Sequence, residues 1–399
     1  MKYIVVLSDG MSDYPIPELG DKTPMEFAHK PCMDEMAGKG EMLSVKTVPS
    51  DLKPGSDVAN LSVMGYDPHK YYTGRSPLEA ASIGVELGAD DTAFRANLVT
   101  LSGDGEYEEL SMCDYSSGEI STEEAAALIE TLAKELNTET RKLYCGVSYR
   151  HLMVVSGKVS DCELTPPHDI TGKPVAGHLP EDKEILAIMK KSREILKNHP
   201  VNIKRRAEGK HTADSLWIWG RGKSTSLPPF KEKNGISGAV ISAVDLVRGI
   251  GYLADMEVIK VDGVTGNIDT NFDGKAQAAI DALCGKHDFV YIHLEAPDEC
   301  GHQGQARLKA HAIELIDEKI VKPVKEAMEK RGEDFRMMIL PDHPTPVSIM
   351  THAGDNVPCL IYDSRRDLNT GKEIFSEKTA LGRDFEPGFK LMDYFLERE

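Results

Sequence analysis

Apolar residues come along the chain in short unbroken runs: IVVL within KYIVVL at the amino terminus, then DFVYIHL from Asp288, FRMMIL from Phe335 and VPCLIYD from Val357. Runs of this length bounded by Pro, Gly or Asp have the pattern of strands covered on both faces. Between them, KAQAAIDALCGK and the longer ARLKAHAIELIDEKIVKPVKEAMEKRG repeat apolar positions at helical spacing, and Pro323 is expected to kink the second. Alternation of strand and helix predicts an α/β fold with a doubly wound, mostly parallel sheet. In such sheets ligands lie beyond the carboxyl ends of the strands.

The middle of the chain reads differently. From AFRANLVTL onward, strand-like LVTLS, YRHLMVVS and DSLWIWG are interspersed with the helical patterns STEEAAALIETLAKELN and PEDKEILAIMKKSREILKN, the first opening with Ser121 and Glu124 at capping-box spacing. A smaller α/β domain is therefore expected at residues 91–235, inserted into a sheet domain formed by residues 1–90 and 236–399. GRGKSTSLPPFKEKNG, rich in Gly, Ser and Pro, reads as a flexible exit linker before GAVISAVDLVRGIGYL resumes the sheet domain.

Composition narrows the function. With 399 residues, 40% hydrophobic and 28% charged, the chain can bury a large core. IVVL is too short for the central region of a signal peptide or for a membrane span, so a cytoplasmic protein is expected. The seven cysteines form no CxxC pair and fit reduced thiols. A formal charge of -18 disfavours nucleic acid and anionic membrane as partners. A small anionic substrate remains open if local cations hold it. The oligomeric state is not legible.

The candidate chemistry collects at strand ends. KYIVVL delivers Asp9 in SDGM, and DFVYIHL is followed by Asp298 and His302 in EAPDECGHQG. Asp342 and His343 follow FRMMIL, and His352 precedes VPCLIYD. Asp298 and His302 stand four apart, so one helical turn would project both to one side, with Gly301 clearing space beside them. Taken singly, each residue could cap a helix or stabilise a turn. Together they form a mixed carboxylate and imidazole set suited to Mn, Zn, Co or Mg, and too large for one ion. Two divalent ions sharing it would suit phosphoryl transfer.

SDGM, PGSDVANLSVMGYDP, YYTGRSPLEAASIGVEL, AFRANLVTL, GAVISAVDLVRGIG, APDECGHQG and PDHPTP with THAGDNVP together resemble the archaeal-type, cofactor-independent phosphoglycerate mutases of the alkaline phosphatase superfamily, over nearly the whole chain. The resemblance implies interconversion of 3-phosphoglycerate and 2-phosphoglycerate without 2,3-bisphosphoglycerate. It also implies that Ser56 is a transiently phosphorylated nucleophile. Asp9, Ser56, Asp342 and His343 would surround one metal, and Asp298, His302 and His352 the other. On the substrate side it points to His168 and Asp169, while Arg150, Arg221 and Arg248 are candidates for clamping carboxylate or phosphate. A metal-dependent phosphatase or phosphomutase acting on another small phosphorylated compound is the alternative activity, and a non-catalytic scaffold is the alternative class.

Overall fold

The computed structural model describes residues 1–371 and 373–397. Its strands are β1 (Lys2–Ser8), β2 (Glu41–Val45), β3 (Asp91–Ser102), β4 (Ser111–Asp114), β5 (Arg141–Val147), β6 (Arg150–Ser156), β7 (Ser215–Lys223), β8 (Gly238–Ile241), β9 (Glu257–Ile259), β10 (Phe289–Leu294), β11 (Phe335–Leu340), β12 (Val357–Asp363) and β13 (Asp384–Phe385). Two compact units divide them. One comprises residues 1–72 and 226–399, the other residues 73–225.

The first unit holds a sheet in the order β13-β2-β12-β11-β1-β10-β8-β9. The pairs β1 with β10, β1 with β11, β10 with β8 and β8 with β9 are parallel. β12 runs antiparallel to both β11 and β2. The three central strands are buried along their whole lengths, apart from the first two residues of β1. Ile4, Val6, Val290, Ile292, Met337 and Ile339 alternate onto one face, where they share a core with Met33, Ala279, Ile313 and Met328 from the covering helices. The alternate residues Tyr291 and His293 face the other side. Pro323 does not break the long helical stretch: a π-helical segment, Asp317–Val321, precedes it and absorbs the missing backbone donor. Asp317 of that segment accepts hydrogen bonds from the amides of Cys32 and Met33 at the start of the helix Pro31–Ala37.

The second unit is built on β3, which pairs antiparallel with β4, β6 and β7, while β5 pairs with β6. The helices Thr122–Leu136 and Lys183–Leu196 contribute Leu128, Leu132, Ile188 and Met189 to its core.

The division falls at 72/73 and 225/226 rather than at the expected 90/91 and 235/236. Residues 73–82 belong with the insert because Thr73 Oγ1 donates to the Lys223 carbonyl, Ser76 Oγ donates to that of Gly220, and a Cβ at Gly74 would sit 2.5 Å from the Arg221 oxygen. Phe230 belongs with the large sheet, its ring 4.7 Å from that of Phe289. GRGKSTSLPPFKEKNG is accordingly not one flexible linker: its first residues are in β7 and its last form the helix Phe230–Asn234. All seven cysteines are free thiols. Among the described residues no helix is long and apolar enough to cross a membrane.

Candidate active site

The carboxyl ends of β1, β10 and β11 meet at one edge of the large sheet. Asp9 follows β1 directly, its amide donating to the Leu294 carbonyl at the end of β10. Asp342 and His343 follow β11 after Pro341. Asp298 and His302 lie on the helix Ala296–His302 that follows β10, and their i,i+4 spacing puts Nε2 of His302 3.2 Å from Oδ2 of Asp298. His352 reaches the same edge from the opposite direction, because the antiparallel β12 begins where its neighbour β11 ends.

Two overlapping groups have ligand atoms close enough to share an ion: Asp9, Asp342 and His343, and Asp298, His343 and His352. His302 joins the second group. Its Nε2 lies 3.0 Å from Nε2 of His352, while its Nδ1–H donates to the Met350 carbonyl and so turns the Nε2 lone pair inward. Two imidazole lone pairs aimed at one point repel unless a proton or a cation lies between them. Ser56 opens the helix Ser56–Val63, with Gly55 as the capping residue. Its Oγ lies 3.1 Å from His343 Nε2 and 3.5 Å from Asp9 Oδ2.

The electrostatics call for a cation. Asp9, Asp298 and Asp342 are all buried. Burial, with crowding by the Asp342, Asp298 and Glu295 carboxylates, pushes the Asp9 carboxyl well above its ordinary range. Its Oδ1 is buried without a hydrogen-bond partner among the described residues. An acceptor in that position costs free energy unless something positive satisfies it. Three carboxylates, three imidazoles and a serine hydroxyl form an oxygen and nitrogen donor set that fits divalent ions.

Gly301 serves a different end from the expected one. A Cβ there would meet the Thr345 carbonyl oxygen at 2.4 Å, so the glycine lets the helix Ala296–His302 touch the loop that carries Thr345 rather than making room for a ligand. Gly10, at a φ of +61°, does the same against Asp298 and Thr345.

The residues behind the ligands escaped sequence reasoning. His293 Nε2 lies 3.1 Å from Asp9 Oδ2, and burial lowers this imidazole to about 4. Thr345 Oγ1 lies against Asp298 Oδ1 and 3.2 Å from His343 Nδ1, touching ligands of both groups. Lys309, wholly buried, donates to Asp13 Oδ2 and to the carbonyls of Ser12 and Thr345. The signal for His293 was a titratable residue inside the apolar run VYIHL.

The insert gathers part of the substrate-side set. His168, on the 3₁₀ turn Pro167–Ile170, has its ring 5.3 Å from that of Trp219 and its Nε2 3.5 Å from Asp169. Burial lowers its pKa, and Arg95 and Arg75 add to this against the opposing pull of Asp169. Arg95, unforeseen from the sequence, lies 4.2 Å over the Trp219 ring and pairs with Glu79 at 3.1 Å. Arg150 lies 5.6 Å from the Tyr149 ring, and its charge also acts on Arg95. Arg221 is engaged elsewhere, by the Ser160 carbonyl and Asp161. Arg248, in the first unit, pairs with Asp245 at 3.2 Å.

The family described as 2,3-bisphosphoglycerate-independent phosphoglycerate mutase matches residues 37–202. A probable 2,3-bisphosphoglycerate-independent phosphoglycerate mutase of Geobacter sulfurreducens is 49% identical over the full length of both chains. This chain belongs to that family. The Methanosarcina barkeri phosphoglycerate mutase of the same description is also 49% identical, over 95% of each chain. Among solved structures, the PH0037 protein of Pyrococcus horikoshii superposes with a TM-score of 0.81 at 31% identity, covering 100% of this chain and 98% of its own. The cofactor-independent phosphoglycerate mutase of Thermoplasma acidophilum superposes with a TM-score of 0.66 at 27% identity, covering 100% and 99%.

Proposed function

We propose that the protein interconverts 3-phosphoglycerate and 2-phosphoglycerate through a phosphoserine at Ser56, independently of 2,3-bisphosphoglycerate. The observation that carries this reading is the Ser56 hydroxyl at a helix start, facing the buried His343 and Asp9 within a cluster of carboxylates and imidazoles. Family membership supports the choice of substrate.

In this reading Asp9, Ser56, Asp342 and His343 hold one divalent ion, and Asp298, His302 and His352 hold the other. Bound there, such ions lower the pKa of the serine hydroxyl and neutralise charge on the transferring phosphoryl group. The Ser56 hydroxyl gives up its proton as its oxygen attacks phosphorus, the bond to the 3-oxygen of the substrate breaks, and that oxygen takes up a proton to leave glycerate. The 2-hydroxyl of glycerate then attacks phosphoserine, releasing its proton and restoring Ser56. The helix amides behind Ser56 favour the anionic group in both steps. His168, Asp169 and Arg150 supply substrate recognition in the insert, where a guanidinium fork can hold carboxylate or phosphate. Arg221 and Arg248 are weaker candidates because each is already paired with an acid.

Incubation with 3-phosphoglycerate and Mn²⁺, without 2,3-bisphosphoglycerate, tests the proposal when 2-phosphoglycerate and free phosphate are measured together. Isomer formation far exceeding phosphate release is expected. Phosphate release as the main outcome would make the protein a phosphatase.

A further inference from the structure

Behind Ser56 one buried side chain touches both the nucleophile's helix and the metal-facing carboxylate of Asp342. Asn60, one turn after Ser56, is fully buried. Its Nδ2 donates to the Ser56 carbonyl at 2.8 Å and to Asp342 Oδ2 at 3.0 Å, so both amide hydrogens are used. Its Oδ1 accepts from the hydroxyl of Tyr291 at 2.7 Å, and Tyr291 is itself fully buried in β10. The reverse orientation would turn Oδ1 toward a carbonyl and a carboxylate, three acceptors together, so one amide orientation is enforced. The other carboxylate oxygen, Oδ1 of Asp342, is held by the amides of Gly10 and His343.

We infer that Asn60 is a positioning residue, which with Tyr291 completes the hold of the Gly10 and His343 amides on Asp342 and links that carboxylate to the helix that carries Ser56. The inference rests on the two-metal reading above. A carboxylate ligand oriented by a neutral donor keeps its charge and its direction, whereas one left to rotate loses affinity for the ion. The amide adds no charge, so it orients Asp342 without competing with the cation. It also ties the start of the helix Ser56–Val63 to the loop after β11, two segments whose separation determines whether the Ser56 oxygen stands at the ion or away from it.

Titration calorimetry with Mn²⁺ alone, in the absence of substrate, tests this on the wild type, Asn60→Asp and Tyr291→Phe. Two binding events are expected in the wild type. Asn60→Asp, which keeps the shape but sets a second carboxylate against Asp342, should weaken one event by about 10- to 100-fold and leave the other within about twofold. Tyr291→Phe should weaken the same event by a smaller factor. In steady-state assays at saturating Mn²⁺, kcat should fall with KM unchanged, since Asn60 contacts no substrate group in this reading. Wild-type affinity at both sites in folded Asn60→Asp protein would overturn the inference, and so would equal weakening of both sites. If Asn60→Asp fails to fold, unchanged Mn²⁺ binding by Tyr291→Phe overturns it alone. A wild type that binds no Mn²⁺ removes the two-metal reading and the role of Asn60 with it, an outcome distinct from normal wild-type binding with an indifferent variant.

Discussion

The two halves of the candidate centre are built from similar residues in different surroundings. In the inner half the Asp342 and His343 side chains have no solvent exposure and Asp9 has 2%, and each of the two carboxylates is held from behind. In the outer half His302 and His352 are 34% and 25% exposed, and their ring nitrogens face each other across 3.0 Å. Burial and backing cost desolvation but fix geometry, while exposure lets ions and water exchange. In the proposed mechanism the inner half would accordingly hold Ser56 in place and the outer half would admit ion and phosphate.

The most severe disruption of this comparison is Ser56→Ala. Isomer formation should fall by a factor on the order of a thousand or more while the protein stays folded, because Ser56 is not the helix cap and is only half-buried. Acid-quenched wild-type protein should carry phosphate on the peptide PGSDVANLSVMGYDP. A variant that retains near wild-type rate would end the serine mechanism.

Next in size is the contrast between ligands of the two halves. Asp342→Asn should cost more Mn²⁺ affinity and more activity than His352→Ala, the first by about 100-fold or more and the second by about tenfold. Metal content after dialysis, read beside the rates, decides it, and the reverse ranking would dissolve the distinction between the halves.

Chelation should sharpen the same contrast with a smaller signal. Ion loss into excess EDTA, followed by Mn²⁺ electron paramagnetic resonance, should be biphasic, the outer ion leaving first. A single phase would mean that exposure does not govern exchange.

The smallest expected effect is at Glu377, which is linked through Asp13 and Lys309 to the Thr345 carbonyl. Glu377 accepts from the Asp13 amide and from Thr23 Oγ1, and Asp13 is paired with Lys309. Burial raises this carboxyl from 4.5 to about 7. Because the folded value exceeds the unfolded one, its favourable contribution is complete below the ordinary Glu value and is lost as pH rises through about 7. The Tm of Glu377→Gln relative to wild type should therefore climb between about pH 4.5 and 7 and then level off. A difference that stays flat with pH would place no titrating group there.

The cluster of acids and imidazoles was legible in the sequence because its members follow apolar runs whose ends a doubly wound sheet brings together, so the meeting of Asp9, Asp298, Asp342 and their histidines could be expected without any long-range contact. His352 needed one more fact, the reversal of β12, which the run VPCLIYD does not encode. Asn60, His293 and Thr345 stayed hidden because their contacts with the cluster are made to partners 282, 284 and 47 residues away. In the insert, Arg95 falls within an apolar strand pattern, and its stacking partner appears only when β7 sets Trp219 beside it. The unit boundaries were displaced because Gly and Pro mark turns equally well inside and outside a linker.

That reversal of β12 also bears on how the centre comes together during folding. The segment between β11 and β12 carries Asp342, His343, Thr345, Met350 and His352, and its two ends are fastened by adjacent antiparallel strands. Closing such a short loop carries a small entropic cost, whereas the β1 pairings join segments hundreds of residues apart. One local hairpin can thus organise ligands from both halves early, leaving Asp9, Ser56 and Asp298 to dock onto a framework that already exists.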